Sequence, residues 1–192
     1  MTGIALRGVR KAYGEQVVLD GLDLDLPDGA VTALMGANGS GKTTIGRIVL
    51  GLTTPDAGTV TGLDGRRVAA TFQEDRLCEQ LTAAGNVRLV LDRARAGEAE
   101  AALRAAGLDD DALAKPVRDL SGGQRRRVAI VRALVAPAEV VVLDEPFKGL
   151  DTAARERLIA LVRELCAGRT VLLVTHDPAE AEALGATVVT LG

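Results

Sequence analysis

Short apolar runs closed by Gly, Pro or Asp alternate along the chain with segments whose apolar residues return at helical spacing. Strands buried on both faces read as continuous apolar runs, so this alternation predicts an α/β fold with a largely parallel sheet. Residues 30–35 are expected to form a buried strand feeding a glycine-rich turn, with a helix over 43–50. Residues 139–143, 170–175 and 187–191 read as further strands. A helix over 153–166 would place Leu158, Leu161, Val162 and Leu165 on one face. The stretch 78–118 has no β-branched run of strand length and holds strong helix formers throughout 94–107. It is expected to be a small helical subdomain whose charge pairs belong to a solvated surface.

At 192 residues the chain suits one domain, with 1–77 and 119–192 as the α/β core and 78–118 as the subdomain. Hydrophobic residues at 47% and charged residues at 26% exclude disorder. The net charge of −3 has the wrong sign for neutralising a phosphate backbone, and three aromatics, Tyr13, Phe72 and Phe147, cannot build a base-stacking platform. No nucleic-acid partner is expected. No apolar run approaches the roughly 20 residues that cross a bilayer, and the first ten residues lack a signal-peptide pattern, which implies a cytoplasmic location. Cys78 and Cys166 lie far apart without CxxC spacing and read as reduced thiols in ordinary packing.

Candidate chemistry begins at Gly36-Ala37-Asn38-Gly39-Ser40-Gly41-Lys42-Thr43, a GxxxxGK[ST] pattern between the expected strand and helix. Its glycines would let backbone N–H groups turn inward around phosphate oxygens at a helix N-terminus. Lys42 would reach the β and γ phosphates, and the Thr43 hydroxyl would ligate Mg²⁺. This motif leaves GTPases, kinases and helicases open. The apolar run 140–143 then ends in Asp144-Glu145-Pro146. Carboxylates at the C-terminal edge of a parallel sheet face a bound ligand, so Asp144 suits the Mg²⁺ shell and Glu145 suits a general base that polarises the attacking water.

A third element, Leu120-Ser121-Gly122-Gly123-Gln124, precedes a helix-like run over 125–135. With LSGGQ in place between the phosphate loop and the acidic strand, the chain resembles the ATP-binding cassette family, the motor subunits of ABC transporters. The resemblance covers nearly the whole chain. It implies a P-loop NTPase cassette fold, a mainly parallel sheet with N-terminal antiparallel strands and a small helical subdomain. It also implies ATP hydrolysis with Mg²⁺. Gly36, Asn38, Gly39, Ser40, Gly41, Lys42, Thr43 and Thr44 match the family's nucleotide-binding loop, and Tyr13 matches the aromatic that stacks on adenine. Gln73 matches the glutamine that senses Mg²⁺ and water, and His176 matches the switch histidine at the γ phosphate. Ser121, Gly122, Gly123 and Gln124 would meet the nucleotide held by a second subunit. Two ATP molecules would then be sandwiched in a head-to-tail dimer, a homodimer by expectation, with Asp151 in communication between the sites.

The three arginines 125–127 are expected to support the helix and its surroundings. Lys148 departs from the small residues the family commonly carries before Leu-Asp. The chain stops just after its last expected strand, which implies no C-terminal regulatory domain. A cassette without a membrane span needs transmembrane permease subunits, which would hold it at the inner face of the cell membrane. The segments 71–77, 81–82 and 86–87 look similar to the nitrate, sulfonate and taurine importers, which would add an extracytoplasmic binding protein. The alternative is a soluble cassette that remodels a protein complex, such as one in iron–sulfur assembly.

Overall fold

The computed structural model describes residues 3–192; the first two residues of the expected 1–77 segment lie outside the described residues. The chain forms two compact units. One contains residues up to 70 with 138–144 and 168–192, and the other contains 71–137 with 145–167.

The first unit is built on two sheets. An antiparallel sheet pairs β1 (Ile4–Tyr13) with β2 (Gln16–Leu26) on one side and β4 (Ala57–Thr61) on the other. The second sheet has the order β5 (Val68–Thr71), β6 (Val140–Asp144), β7 (Thr170–Val174), β3 (Val31–Gly36) and β8 (Thr187–Leu191). Strands β6, β7, β3 and β8 pair in parallel. Every residue of β6 and β7 is buried, which is why both read as apolar runs, 140–143 and 171–174, with a polar residue at one end. Burying each such Val or Leu contributes about 1.5–3 kcal/mol.

Helix α1 (Lys42–Val49) lies on this sheet. Ile45, Ile48 and Val49 join Leu34, Val142 and Leu172 in a core that also takes Leu6, Leu24 and Leu26 from the antiparallel strands. Helix α7 (Pro178–Ala183) is capped by Asp177, which accepts from the Ala179 amide at 2.9 Å.

The second unit is helical: α2 (Ala83–Arg88), α3 (Glu98–Ala105), α4 (Asp110–Ala114), α5 (Gly122–Val135) and α6 (Thr152–Leu165). Helix α5 packs against α2, α3 and α6. The fully buried Asn86 carboxamide ties the preceding loop to α2: it accepts from the Cys78 amide at 2.7 Å and donates to the Cys78 and Thr82 carbonyls. The strong helix formers of 94–107 do form helix, in two pieces. A 3₁₀ turn (Arg93–Arg95) comes first and α3 starts only at Glu98; between them Gly97, a weak helix former, is the N-cap and offers no side-chain acceptor, although its dihedrals are helical. Leu165 is half-buried, whereas Leu158, Leu161 and Val162 are buried as their spacing predicts.

Candidate functional site

In the first unit, the C-terminal edge of the parallel sheet gathers three chain segments. Leu34 of β3 and Asp144 of β6 both pair with Val174 of β7, and His176 follows two residues beyond. Strand β3 passes directly into the loop that starts α1. Gly36, Gly39 and Gly41 adopt φ of 145°, 85° and 91°, conformations that L side chains rarely adopt. A Cβ on Gly36 would lie 2.5 Å from the Leu191 carbonyl oxygen, and one on Gly41 would lie 2.5 Å from Leu19 Cδ2. Gly41 is also the N-cap of α1 and offers no side-chain acceptor, so the first amides of the helix have no side-chain cap there.

The Lys42 side chain folds back over this loop. Its Nζ donates to the Gly36 and Ala37 carbonyls at 2.8 and 2.6 Å and lies 3.4 Å from Ser40 Oγ, and the residue is only 8% exposed. Thr43 donates its hydroxyl to Asp144 Oδ2 at 3.3 Å. A hydroxyl beside a buried carboxylate is a hard-oxygen donor pair, the type Mg²⁺ takes. Among the described residues no group of three or more His, Cys, Asp or Glu side chains could hold a metal by itself. The pair therefore fits a cation that takes its remaining ligands from substrate phosphate and water. Thr44 is buried on α1, while Asn38 is exposed.

Tyr13, at the end of β1, is 45% exposed, with Lys11 Nζ 5.6 Å from its ring centroid. Partial burial raises its phenol, but hydrogen bonding with Thr44, Thr53 and Arg47 outweighs that and holds it below its ordinary value. His176 is exposed, and the neighbouring Thr175 hydroxyl is buried and bonded to Glu180.

In the second unit, Gln73, Asp75, Gly122, Gly123, Arg126, Glu145, Lys148 and Gly149 line a cleft of about 400 Å³. Glu145 has φ of +45°, one of two non-glycine residues in the left-handed region among those described. Such strain persists only where surrounding structure enforces it, and it concentrates at functional positions. Its carboxylate Oε2 stands 2.8 Å from Lys148 Nζ. The signature residues Ser121 and Gln124 form a reciprocal cap on α5. Ser121 Oγ accepts from the Gln124 amide at 3.2 Å, and Gln124 Oε1 accepts from the Ser121 amide at 2.8 Å. Asp151 caps α6 by accepting from the Ala154 amide at 2.8 Å.

The sequence reading missed two features. The partnership of Lys148 with Glu145 had an available signal in their i, i+3 spacing across a turn. The reach of Arg126 into this cleft had none, because its partners are distant in the chain.

A parallel sheet whose C-terminal edge carries a lysine-bearing glycine loop and an acidic strand end defines a P-loop NTPase fold. The chain belongs to the ABC transporter family, which matches residues 19–148. It is 42% identical over 192 residues to the aliphatic sulfonates import ATP-binding protein SsuB 1 of Nocardia farcinica, covering 98% of this chain and 77% of that protein. It is 44% identical over 194 residues to SsuB 2 of Frankia alni, an aliphatic sulfonates import ATP-binding protein, covering 100% and 78%. The fold is similar to the dimeric structure of MJ0796, a bacterial ABC transporter cassette. The TM-score is 0.85 at 30% identity, covering 98% of this chain and 94% of that one. It is equally similar, at a TM-score of 0.86 and 29% identity over the same shares, to the dimeric post-hydrolysis state of MJ0796 bound to ADP and Pi. The chain is accordingly an ATPase subunit that binds and hydrolyses ATP to power transport, and the transporter reading stands over the soluble remodelling alternative. No helix among the described residues is long and apolar enough to cross a membrane.

Proposed function

We propose that the chain powers an importer of aliphatic sulfonates, working as a head-to-tail homodimer on transmembrane permease subunits at the cytoplasmic face of the membrane. The observation that carries the ATP chemistry is Thr43 bonded to the buried Asp144 beside a lysine held on a left-handed glycine loop. The cargo class rests on the sulfonate-import relatives, and the permease and an extracytoplasmic binding protein follow from that class. The single-domain organisation, with residues 78–118 as a helical subdomain, belongs to the same proposal.

The amides of the loop from Gly36 to Gly41, with Ser40 and Asn38 beside them, would take the phosphate oxygens of ATP. Lys42 would exchange its bonds to the Gly36 and Ala37 carbonyls for the β and γ phosphates, and Tyr13 would stack on adenine. Mg²⁺, when bound, would be held by Thr43 and Asp144, with Gln73 assigned to the same ion by the family resemblance alone, and would neutralise charge on the β and γ oxygens. Glu145 accepts a proton from water as its oxygen bonds to the γ phosphorus. The bond from that phosphorus to the β–γ bridging oxygen breaks, and the electron pair leaves with ADP. His176 would contact the γ phosphate. Ser121, Gly122, Gly123 and Gln124 would close over the partner subunit's nucleotide, so loss of the γ phosphate would release the dimer.

The test is capture of the native chain from gently solubilised membranes, followed by uptake of radiolabelled methanesulfonate. A polytopic membrane protein at equimolar yield and sulfonate uptake that stops when Glu145 is replaced by Gln are expected. Recovery only with soluble partners would overturn the permease reading. Unchanged uptake in the variant would overturn the motor role, and uptake of a different solute class would overturn the cargo alone.

A further inference from the structure

Three consecutive arginines on α5 go to three different places. Arg125 reaches Glu79 at the surface, and Arg127 donates to the Gly107 carbonyl at 2.6 Å beyond the end of α3. Arg126 turns into the cleft and is only 7% exposed. Its Nε donates to the Pro146 carbonyl at 3.0 Å and its Nη2 to the Glu145 carbonyl at 2.5 Å. Its Nη1 donates to the Phe72 carbonyl at 2.6 Å and pairs with Asp75 Oδ1 at 3.1 Å, where the Asp75 side chain is 18% exposed. One planar guanidinium thus grips the strained turn that carries Glu145 and the peptide that enters Gln73. A point charge on a flexible stem could not span both at once.

We infer that Arg126 is a positioning residue for hydrolysis. It holds the Glu145 turn and the Gln73 segment in one body with the first turn of α5, so that Gly122 and Gly123 cannot shift without moving the base. Three observations converge on this role: the left-handed Glu145 that needs an enforcing partner, the ion pair of the buried Arg126 with the half-buried Asp75, and the shared cleft lining of Gly122, Gly123, Arg126 and Glu145. The inference rests on Glu145 acting as the general base.

The experiment is steady-state hydrolysis of MgATP by the full chain carrying Arg126→Lys, Asp75→Asn, Glu145→Gln, or Arg126→Lys together with Glu145→Gln. Arg126→Lys keeps the charge opposite Asp75 and loses the fork. It is expected to lower kcat by about 10- to 100-fold with KM for ATP within about threefold, because a misplaced base costs turnover and leaves binding intact. Asp75→Asn, isosteric, is expected to shift kcat in the same direction by about threefold, and it carries the test if Arg126→Lys fails to fold. On the Glu145→Gln background Arg126→Lys should change turnover less than about twofold, since a residue that acts through the base has nothing left to position. Wild-type kcat in both single variants, or a raised KM at unchanged kcat, overturns the positioning role while Glu145 stands. Wild-type turnover in Glu145→Gln overturns the reading of the base itself.

Discussion

The glycine loop of the first unit and the Glu145 turn of the second are both tight, both left-handed at one or more residues, and both centred on a charged side chain. They differ in what holds them. Lys42 takes its partners from residues two to six positions away, on a loop shaped by its own glycines. The Glu145 turn is held by Arg126, which lies 19 residues from Glu145 and 54 from Phe72. The loop is therefore pre-formed by local backbone preference, whereas the turn depends on packing of the helical unit. Nucleotide binding at the loop and hydrolysis at the Glu145 turn are therefore expected to be separable by substitution.

Replacing Glu145 by Gln should separate them most sharply. Turnover should fall by about 10²- to 10⁴-fold, the range a general base supplies, with ATP affinity retained. A dimer should also accumulate in light scattering under saturating MgATP. Equal loss of affinity would mean that the two regions are one.

Lys42→Ala should act on the other side of the comparison and weaken ATP by about 100-fold in a nucleotide titration, from the loss of two charge-assisted hydrogen bonds. Gly36→Ala should cost about 1–3 kcal/mol in urea unfolding, because a Cβ would stand 2.5 Å from a backbone oxygen at a left-handed φ. An alanine tolerated there would show that neither the left-handed φ nor the close approach of the Leu191 carbonyl constrains the loop. The smallest effect belongs to Lys148→Ala. Lys148 is 67% exposed, so its pair with Glu145 is a surface ion pair, and turnover should stay within about fivefold of the unaltered chain. A larger change would place Lys148 alongside Arg126 in holding the base.

Much of the first unit was legible in the sequence. Residues 30–35, 139–143 and 187–191 were expected as strands, and β3, β6 and β8 fall within one residue of those bounds. Burial explains the legibility of β6 and most of β3, whereas β8, at the sheet edge and largely exposed, was legible from its short β-branched run. Helix α6 was equally legible from Leu158, Leu161 and Val162. The helical unit was legible only in outline. Alanine and leucine content announces helix, yet the path of each α5 arginine depends on neighbours far along the chain.

The capping pairs show the same division in small. Asp151 precedes an expected helix and Asp177 precedes α7, which the sequence reading did not name; in both places the carboxylate satisfies one of the first amides. Ser121 and Gln124, read only as signature residues, also lock one another at the start of α5.

By itself the sequence determined the parallel sheet, the phosphate loop and the acidic strand end, because each rests on hydrophobic periodicity or on glycine conformations set within a few residues. Tertiary structure alone decided that Arg126 would grip Phe72, Asp75, Glu145 and Pro146 together, and that Glu145 would be held at a positive φ. A buried guanidinium must satisfy its donors with whatever acceptors the fold brings within 3 Å or so, and no local pattern specifies which those will be.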